Sequence, residues 1–293
     1  MSTISASLVK ELRERTSAGM MECKKALVEV GGDIEAAIEW MRKQGMAKAD
    51  KKSSRTAADG VVVIAVAEDG KSAALVEINS ETDFVAKSED FAKFANEVAE
   101  VVLTQAPADI EALLAAKMSS GEDVNTVRSA LIAKIGENLQ VRRFVRIETT
   151  GVIGAYRHGE RIGVLTELTG GDVAVAKDVA MHVAASRPVC VSESDVPADL
   201  VEKERAIFLD QAMQSGKPAE IAAKMVDGRI RKYLAEVALT GQPFVKDADM
   251  TVGVMLKKAG CEVTQFVRFE VGEGIEKQTT DFAAEVAAQV AAS

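Results

Sequence analysis

One plan appears twice in this chain, and that duplication constrains the fold more than any other feature. Residues 60–99 read "GVVVIAVAEDGKSAALVEINSETDFVAKSEDFAKFANEVA" and residues 151–184 read "GVIGAYRHGERIGVLTELTGGDVAVAKDVAMHVA". Each copy runs glycine, alternating apolar strand, polar turn with glycine, second strand, polar break, then an amphipathic helical run. The unit is a β-hairpin followed by a helix, set down twice. In the first copy Asp69-Gly70 is a favoured pair for the hairpin turn. The copies differ most after the second strand, where the first has Ser-Glu-Thr-Asp-Phe-Val and the second only Thr-Gly-Gly-Asp-Val.

Further strands and helices dress the two copies. "NLQVRRFVRIETT" and "CEVTQFVRFEV" (261–271) alternate alike, so each copy is expected to own a third strand. Helical periodicity marks 88–104, 109–118 and 122–138. Residues 197–239 read as two helical runs broken at Gly216-Lys217-Pro218, an antiparallel helical hairpin. A short Ala-rich helix is expected over 281–292. Ahead of the repeats, apolar residues at three- and four-residue spacing predict helices over 4–15, 21–30 and 33–43, with "GGD" at 31–33 supplying a stop and an N-cap. The Lys-, Ala- and Ser-rich run from Lys43 to Gly60 offers almost nothing large to bury and reads as a linker. With 293 residues and only 4% aromatics, the chain is expected to be α+β and rich in small side chains at its contacts.

Charge and cysteine usage narrow the partners. A net charge of −9 argues against wrapping a phosphate backbone, so a protein or small molecule is the expected partner, not nucleic acid. Residues 1–55 are mildly basic, with 11 Lys and Arg against 8 Asp and Glu. Cys23, Cys190 and Cys261 lie far apart without a paired spacing, as in a reduced cytoplasmic protein. No signal peptide or membrane span is expected.

Reactive constellations are missing. His158 and His182 have no metal-ligand neighbours at suitable spacing, and His182 on the inner face of a helix reads as a structural residue. His158-Gly159-Glu160 lacks the cysteine pair of a zinc deaminase. Gly70-Lys71-Ser72 lacks the preceding glycine of a phosphate loop, since position 65 is Ala. No catalytic residues, metal or cofactor are expected.

Two places put large apolar residues where polar ones belong: "TSAGMM" (16–21) and "TDFV" (82–85). Met20 and Met21 either plug the helical head or stand out as a pliable binding knob. Phe84 either folds onto Phe91 and Phe94 or points outward.

These stretches carry a resemblance. "LVKELRERTSAGMMECKKAL" (8–27) and "EINSETDFVAKSEDF" (77–91) resemble the two signatures of the bacterial elongation factor Ts family, and "AMHVAASRP", "QSGKPAEIAAKMVDGR", "TGQPFV" and "RFEVGEGIEKQTTDFAAEVAAQ" are similar to its later segments. Departures are small: Ser17 stands where Gly is frequent, Glu22 where Asp is common, and Ser80-Glu81 where some members have Cys-Gln. The resemblance implies a ubiquitin-associated-like (UBA-like) three-helix domain at 1–45, a linker at 46–59, core subdomains at 60–140 and at 141–190 with 240–272, a helical hairpin at 191–239, and a C-terminal module at 273–293. It also implies an exchange factor that makes the GTPase elongation factor Tu release GDP, in a 1:1 or 2:2 complex. Thr82, Asp83, Phe84 and Val85 would disturb the partner's magnesium site, and Leu12, Met20, Met21 and His158 would bind the partner. An adaptor using only the helical head, and an enzyme, are the alternatives.

Overall fold

The structure of the chain, a computed structural model, describes residues 4–16, 18–214 and 219–276. The expected turn at Gly216-Lys217-Pro218, the expected helix over 281–292 and Ser17 lie outside the described residues. By its contacts the chain divides into two units. The first takes the described residues of Met1–Val61, Val76–Phe144 and Val271–Ser293; the second takes Val62–Leu75 and Val145–Glu270.

The chain opens with α1 (Ala6–Thr16), α2 (Met20–Glu29) and α3 (Ile34–Lys52). Their apolar stripes close on Val9, Leu12, Cys23, Ala26, Leu27 and Ala37. Asp33 caps α3 by accepting from the Ala36 N–H at 2.9 Å. One expectation is corrected here. The run at 46–59, read as a linker, is helical as far as Lys52. Its small residues are the reason: Gly45 and Ala49 are both buried, and a Cβ on Gly45 would lie 3.6 Å from the Ser129 carbonyl. The absence of large side chains marks a close helix contact, not a solvated tether.

The first repeat supplies β1 (Asp59–Val66), β2 (Ser72–Ser80), the single turn α4 (Asp83–Ala86), α5 (Glu89–Gln105), α6 (Ile110–Ala115), α7 (Val124–Ile135) and β3 (Leu139–Glu148). Its sheet runs in the order β1-β2-β3. The second supplies β4 (Val152–His158), β5 (Ile162–Thr169) and α8 (Val173–Ser186). The helical pair α9 (Ala198–Gln214) and α10 (Ala219–Val237) follows, then β6 (Pro243–Phe244), β7 (Asp247–Thr251), α11 (Val252–Ala259) and β8 (Glu262–Glu270). Its sheet runs β4-β5-β8, antiparallel throughout, with Val152 opposite Leu168 and Leu165 opposite Val267. The expected third strands are thus β3 and β8, and the fold is α+β.

The second unit has its own core, in which Val164 and Leu168 of β5 meet Ala176, Val179, Ala180 and Val183 of α8, with Leu239, Phe244, Val252 and Leu256 beneath. α9 and α10 pack on Ala212, Ala222, Val226 and Ile230, and Arg205 pairs with Asp227 at 2.8 Å across them. The β6–β7 ribbon and α11 are not expected from the sequence. Thr251 caps α11 through the Val254 N–H, but the helix is two turns long with Gly253 in its first turn, too short to show its period.

Two of the weighed residues have structural duties. The Lys71 ammonium donates to the Gly151 carbonyl at 2.7 Å and the Thr150 carbonyl at 3.2 Å, which ties the hairpin turn down. His182 is fully buried and satisfied at both nitrogens: Nε2 faces the Gln242 amide oxygen at 2.9 Å, and Nδ1 accepts from the Val245 N–H at 3.2 Å. That pattern fixes a neutral ring protonated on Nε2.

Candidate partner-docking site

The inserted stretch after β2 folds as a braced corner. Ser80 is buried at the strand end and its hydroxyl donates to the Thr82 carbonyl at 2.8 Å. Thr82 then breaks from the strand with extended backbone and becomes the N-cap of α4, accepting from the Val85 N–H at a long 3.4 Å. Within α4 the side chains alternate in fate. Val85 and Ala86 are buried, while Phe84 is 82% exposed, the most exposed large apolar side chain among the described residues.

Phe84 has no need to fill the core below it. Phe91 and Phe94 of α5 are already buried without it. Of the two readings open from the sequence, the outward one describes the fold. Beside it Asp83 receives Lys87 at 2.7 Å, and that hydrogen bond and charge hold its carboxyl below the ordinary carboxylate range. At neutral pH the turn therefore presents an aromatic ring next to an ionised carboxylate.

The far side of the turn is gripped from α7. Gly136 ends that helix with φ +90°, a left-handed conformation that suits glycine. Glu137 follows, and its carboxylate accepts from the Thr82 hydroxyl at 2.8 Å and the Thr82 N–H at 3.0 Å. The grip is reciprocal, because the Glu81 carboxylate accepts from the Asn138 N–H at 2.6 Å. Asn138, buried, donates its amide to the Arg55 carbonyl at 2.8 Å, and Lys52 donates to the Gly136 carbonyl. None of Glu81, Glu137 or Asn138 was expected as a site residue. The signal was hidden because the bonds span 55 or more residues.

A second brace lies along β2. Glu77 is wholly buried, yet it accepts from Arg143 at 2.6 Å, the Gly272 N–H at 2.8 Å, Arg142 at 3.0 Å and Asn79 at 3.1 Å. Burial pushes its carboxyl up, and these donors more than offset that, leaving it below its ordinary value.

The other expected site residues separate. Met20 and Met21 begin α2 with no side-chain cap at Gly19 and are 58% and 75% exposed, so they are a knob and not a plug. Val28 and Met46 of the same three helices are exposed as well; Met46 was missed because it fell in the supposed linker. A cleft lined by Arg13, Met20, Glu22, Ala133 and Lys134 places Met20 beside the last turn of α7. Leu12 requires correction as a contact residue. It is 0% exposed at the centre of the head, where three helices converge, and offers no surface to a partner. His158 is in the second unit, exposed at the end of β4, with Nδ1 3.1 Å from the Tyr156 hydroxyl. Among the described residues no group of three or more His, Cys, Asp or Glu could hold a metal ion, and no helix is long and apolar enough to cross a membrane.

Comparison with known proteins places these features in a class, the translation elongation factors. The model of the family described as Elongation factor TS matches residues 81–273, beginning at the braced corner itself. Elongation factor Ts of Thioalkalivibrio sulfidiphilus is 65% identical over 289 residues, covering 98% of each chain. Elongation factor Ts of Methylococcus capsulatus is 61% identical over 292 residues, covering 99% of this chain and 100% of its own, and that of Alkalilimnicola ehrlichii is 60% identical over 291 residues, covering 99% of each. The chain belongs to the elongation factor Ts family.

Proposed function

We propose that the chain is the guanine nucleotide exchange factor of elongation factor Tu in the cytoplasm, acting by protein binding and not by chemistry of its own. It binds Tu–GDP, disturbs the partner's magnesium and phosphate site, and so lets GDP leave and GTP enter. The observation that carries this reading is the exposure of Phe84 on a turn fixed from both sides.

The energetics fit a docking device. By linkage, a factor that weakens GDP must bind the nucleotide-free partner more tightly than the GDP-bound one, by the same factor. A thousandfold acceleration requires about 4 kcal/mol of differential stabilisation at the transition state. Burying one aromatic ring contributes about 2–3 kcal/mol, and it loses little entropy because its backbone is already held. Phe84 is the wedge. Asp83 exchanges its exposed Lys87 for groups that support the partner's metal, and Val85 and Thr82 hold the turn from beneath. Met20 and Met21 extend the contact from the head, supported by Leu12 behind them, and His158 adds a contact from the second unit. One or two copies of each protein make up the complex.

The test is release of a fluorescent GDP from Tu by catalytic amounts of this protein. Wild-type protein is expected to accelerate release, and Phe84→Ala with Asp83→Ala to abolish most of the gain while melting at the wild-type temperature. No acceleration by the wild type would refute the exchange reading.

A further inference from the structure

Phe84 makes so little contact of its own that something else must aim it. A four-residue helix cannot hold itself, because nucleation is unfavourable and one turn returns few bonds. On its C-terminal side the turn is fixed by burial of Val85 and Ala86 and by the Ser88 hydroxyl donating to the Val85 carbonyl at 2.7 Å. On its N-terminal side the internal cap from Thr82 is long, at 3.4 Å. The strong bonds there come from outside the turn: the Ser80 hydroxyl donates to the Thr82 carbonyl, and the two donors of Thr82, its N–H and its hydroxyl, both end on the Glu137 carboxylate.

We propose that Glu137 is the positioning residue of the Phe84 turn, its two bonds to Thr82 setting the direction in which the aromatic ring leaves the protein; this rests on the exchange reading above. The two oxygens take the two donors of Thr82, the N–H and the hydroxyl, and a fork of that kind fixes orientation as well as distance. Thr82 Oγ1, whose O–H donates to Glu137, keeps a lone pair to accept from the Val85 N–H. Glu137 is itself held. Gly136 before it receives Lys52, and Asn138 after it is bonded to Glu81 and to the carbonyl of Arg55. The end of α3, the end of α7 and the turn thus form one bonded junction, so a load on the helical head reaches Phe84 through hydrogen bonds and not through a tether.

The second repeat supplies a control built into the same molecule. There the helix before the third strand, α11, also ends in a left-handed glycine, Gly260. The residue after it is Cys261, whose thiol sits 3.2 Å from where a Cβ on Gly171 would be and donates to the Leu256 carbonyl at 3.7 Å. The shared frame keeps the cap and the close approach. Of the two turns compared, the carboxylate fork braces the one that carries the inserted phenylalanine.

The experiment compares Glu137→Ala, Glu137→Gln, Phe84→Ala and the double variant in Tu–GDP release, with amide hydrogen exchange measured on each free protein. Glu137→Ala is expected to lower the maximal release rate by about tenfold or more, as misplacement of a reacting group does, with the half-saturating concentration within about twofold of wild type. Glu137→Gln, which keeps one acceptor for Thr82, falls between. In the Phe84→Ala background Glu137→Ala has no further effect, the sign of two residues acting through one contact. A loss that adds in full to that of Phe84→Ala, or a Glu137→Ala variant as fast as wild type, would overturn the proposal. If Phe84→Ala alone releases GDP at the wild-type rate, the exchange reading of the turn fails instead. The latch is then judged by exchange of the Thr82 to Val85 amides, which Glu137→Ala must accelerate; unchanged protection overturns it.

Discussion

The turn after β2 and the turn after β5 begin from equivalent strands of the two repeats and end at the same kind of helix, and they spend their residues differently. After β5 the chain uses Gly170 and Gly171, at φ +78° and +73°, to reach Asp172 directly, and Asp172 caps α8 through the Val175 N–H at 2.9 Å. After β2 it adds residues, caps a separate single turn at Thr82, and braces that turn from α7. The glycine turn is the shortest way to join strand and helix. The braced turn is longer than joining requires, and its surplus is an exposed ring beside an ionised acid. Presentation of Phe84 is therefore built, not left over.

The comparison extends down the central strands, where Leu75-Val76-Glu77 matches Leu165-Thr166-Glu167 in order. Glu77 is buried among two arginines; Glu167 is half-buried and accepts from the neutral Thr149 hydroxyl at 2.5 Å and the Gln265 amide at 2.6 Å. The largest expected effect is therefore Glu77→Ala, which removes the buried carboxylate shared by two arginines and the Gly272 N–H, leaves the arginines their bonds to Glu273, and should destabilise by about 3–5 kcal/mol in urea titration. Glu167→Ala is expected to cost about 1 kcal/mol, the worth of ordinary hydrogen bonds. Equal losses would erase the distinction between the two strands. Because the Glu77 carboxyl is held below its ordinary value, its contribution is present above about pH 4.3 and is lost as pH falls through the lowered value.

Next in size is the head, where buried and presented residues again part company. Leu12→Ala should destabilise by about 2–5 kcal/mol through the cavity it leaves, whereas Met21→Ala should stay within about 0.5 kcal/mol. Thermal or urea unfolding distinguishes them.

A smaller effect sharpens the second unit. Burial holds His182 below its ordinary range, against the pull of Gln242, so the folded protein binds this proton less readily than the unfolded chain. Its contribution to stability is full above about pH 6.5 and declines as pH falls from there, at no more than about 1.4 kcal/mol per pH unit. The titration slope between pH 7 and 5 should flatten in His182→Gln. Smallest of all, Val173→Ala, at the exposed first position of α8, should change stability by less than about 0.5 kcal/mol.

Much of this was legible in the residues, and the gaps have physical reasons. Both hairpins, their third strands and the paired helices α9 and α10 followed from periods of two and of 3.6. Phe84 was visible as an oddity, yet an aromatic near a helix start fits either direction until the filled positions of Phe91 and Phe94 are known. The continuation of α3 escaped notice because close packing through Gly45 and Ala49 leaves no apolar stripe. Glu137 lies inside the helical run expected over 122–138, whereas the helix ends at Ile135; its meaning comes from Thr82, which only the fold brings near. Leu12 was assigned a partner by resemblance, while its own spacing with Leu8 and Val9 already fitted the core it occupies.

On the proposed function, the turn after β2 acts on a partner and the turn after β5 does not. The most direct measurement is the rate of GDP release from elongation factor Tu with Phe84→Ala and Val173→Ala side by side, each matched in stability to wild type. The account predicts a loss of about tenfold or more for Phe84→Ala and a wild-type rate for Val173→Ala. Equal rates for the two variants would contradict it.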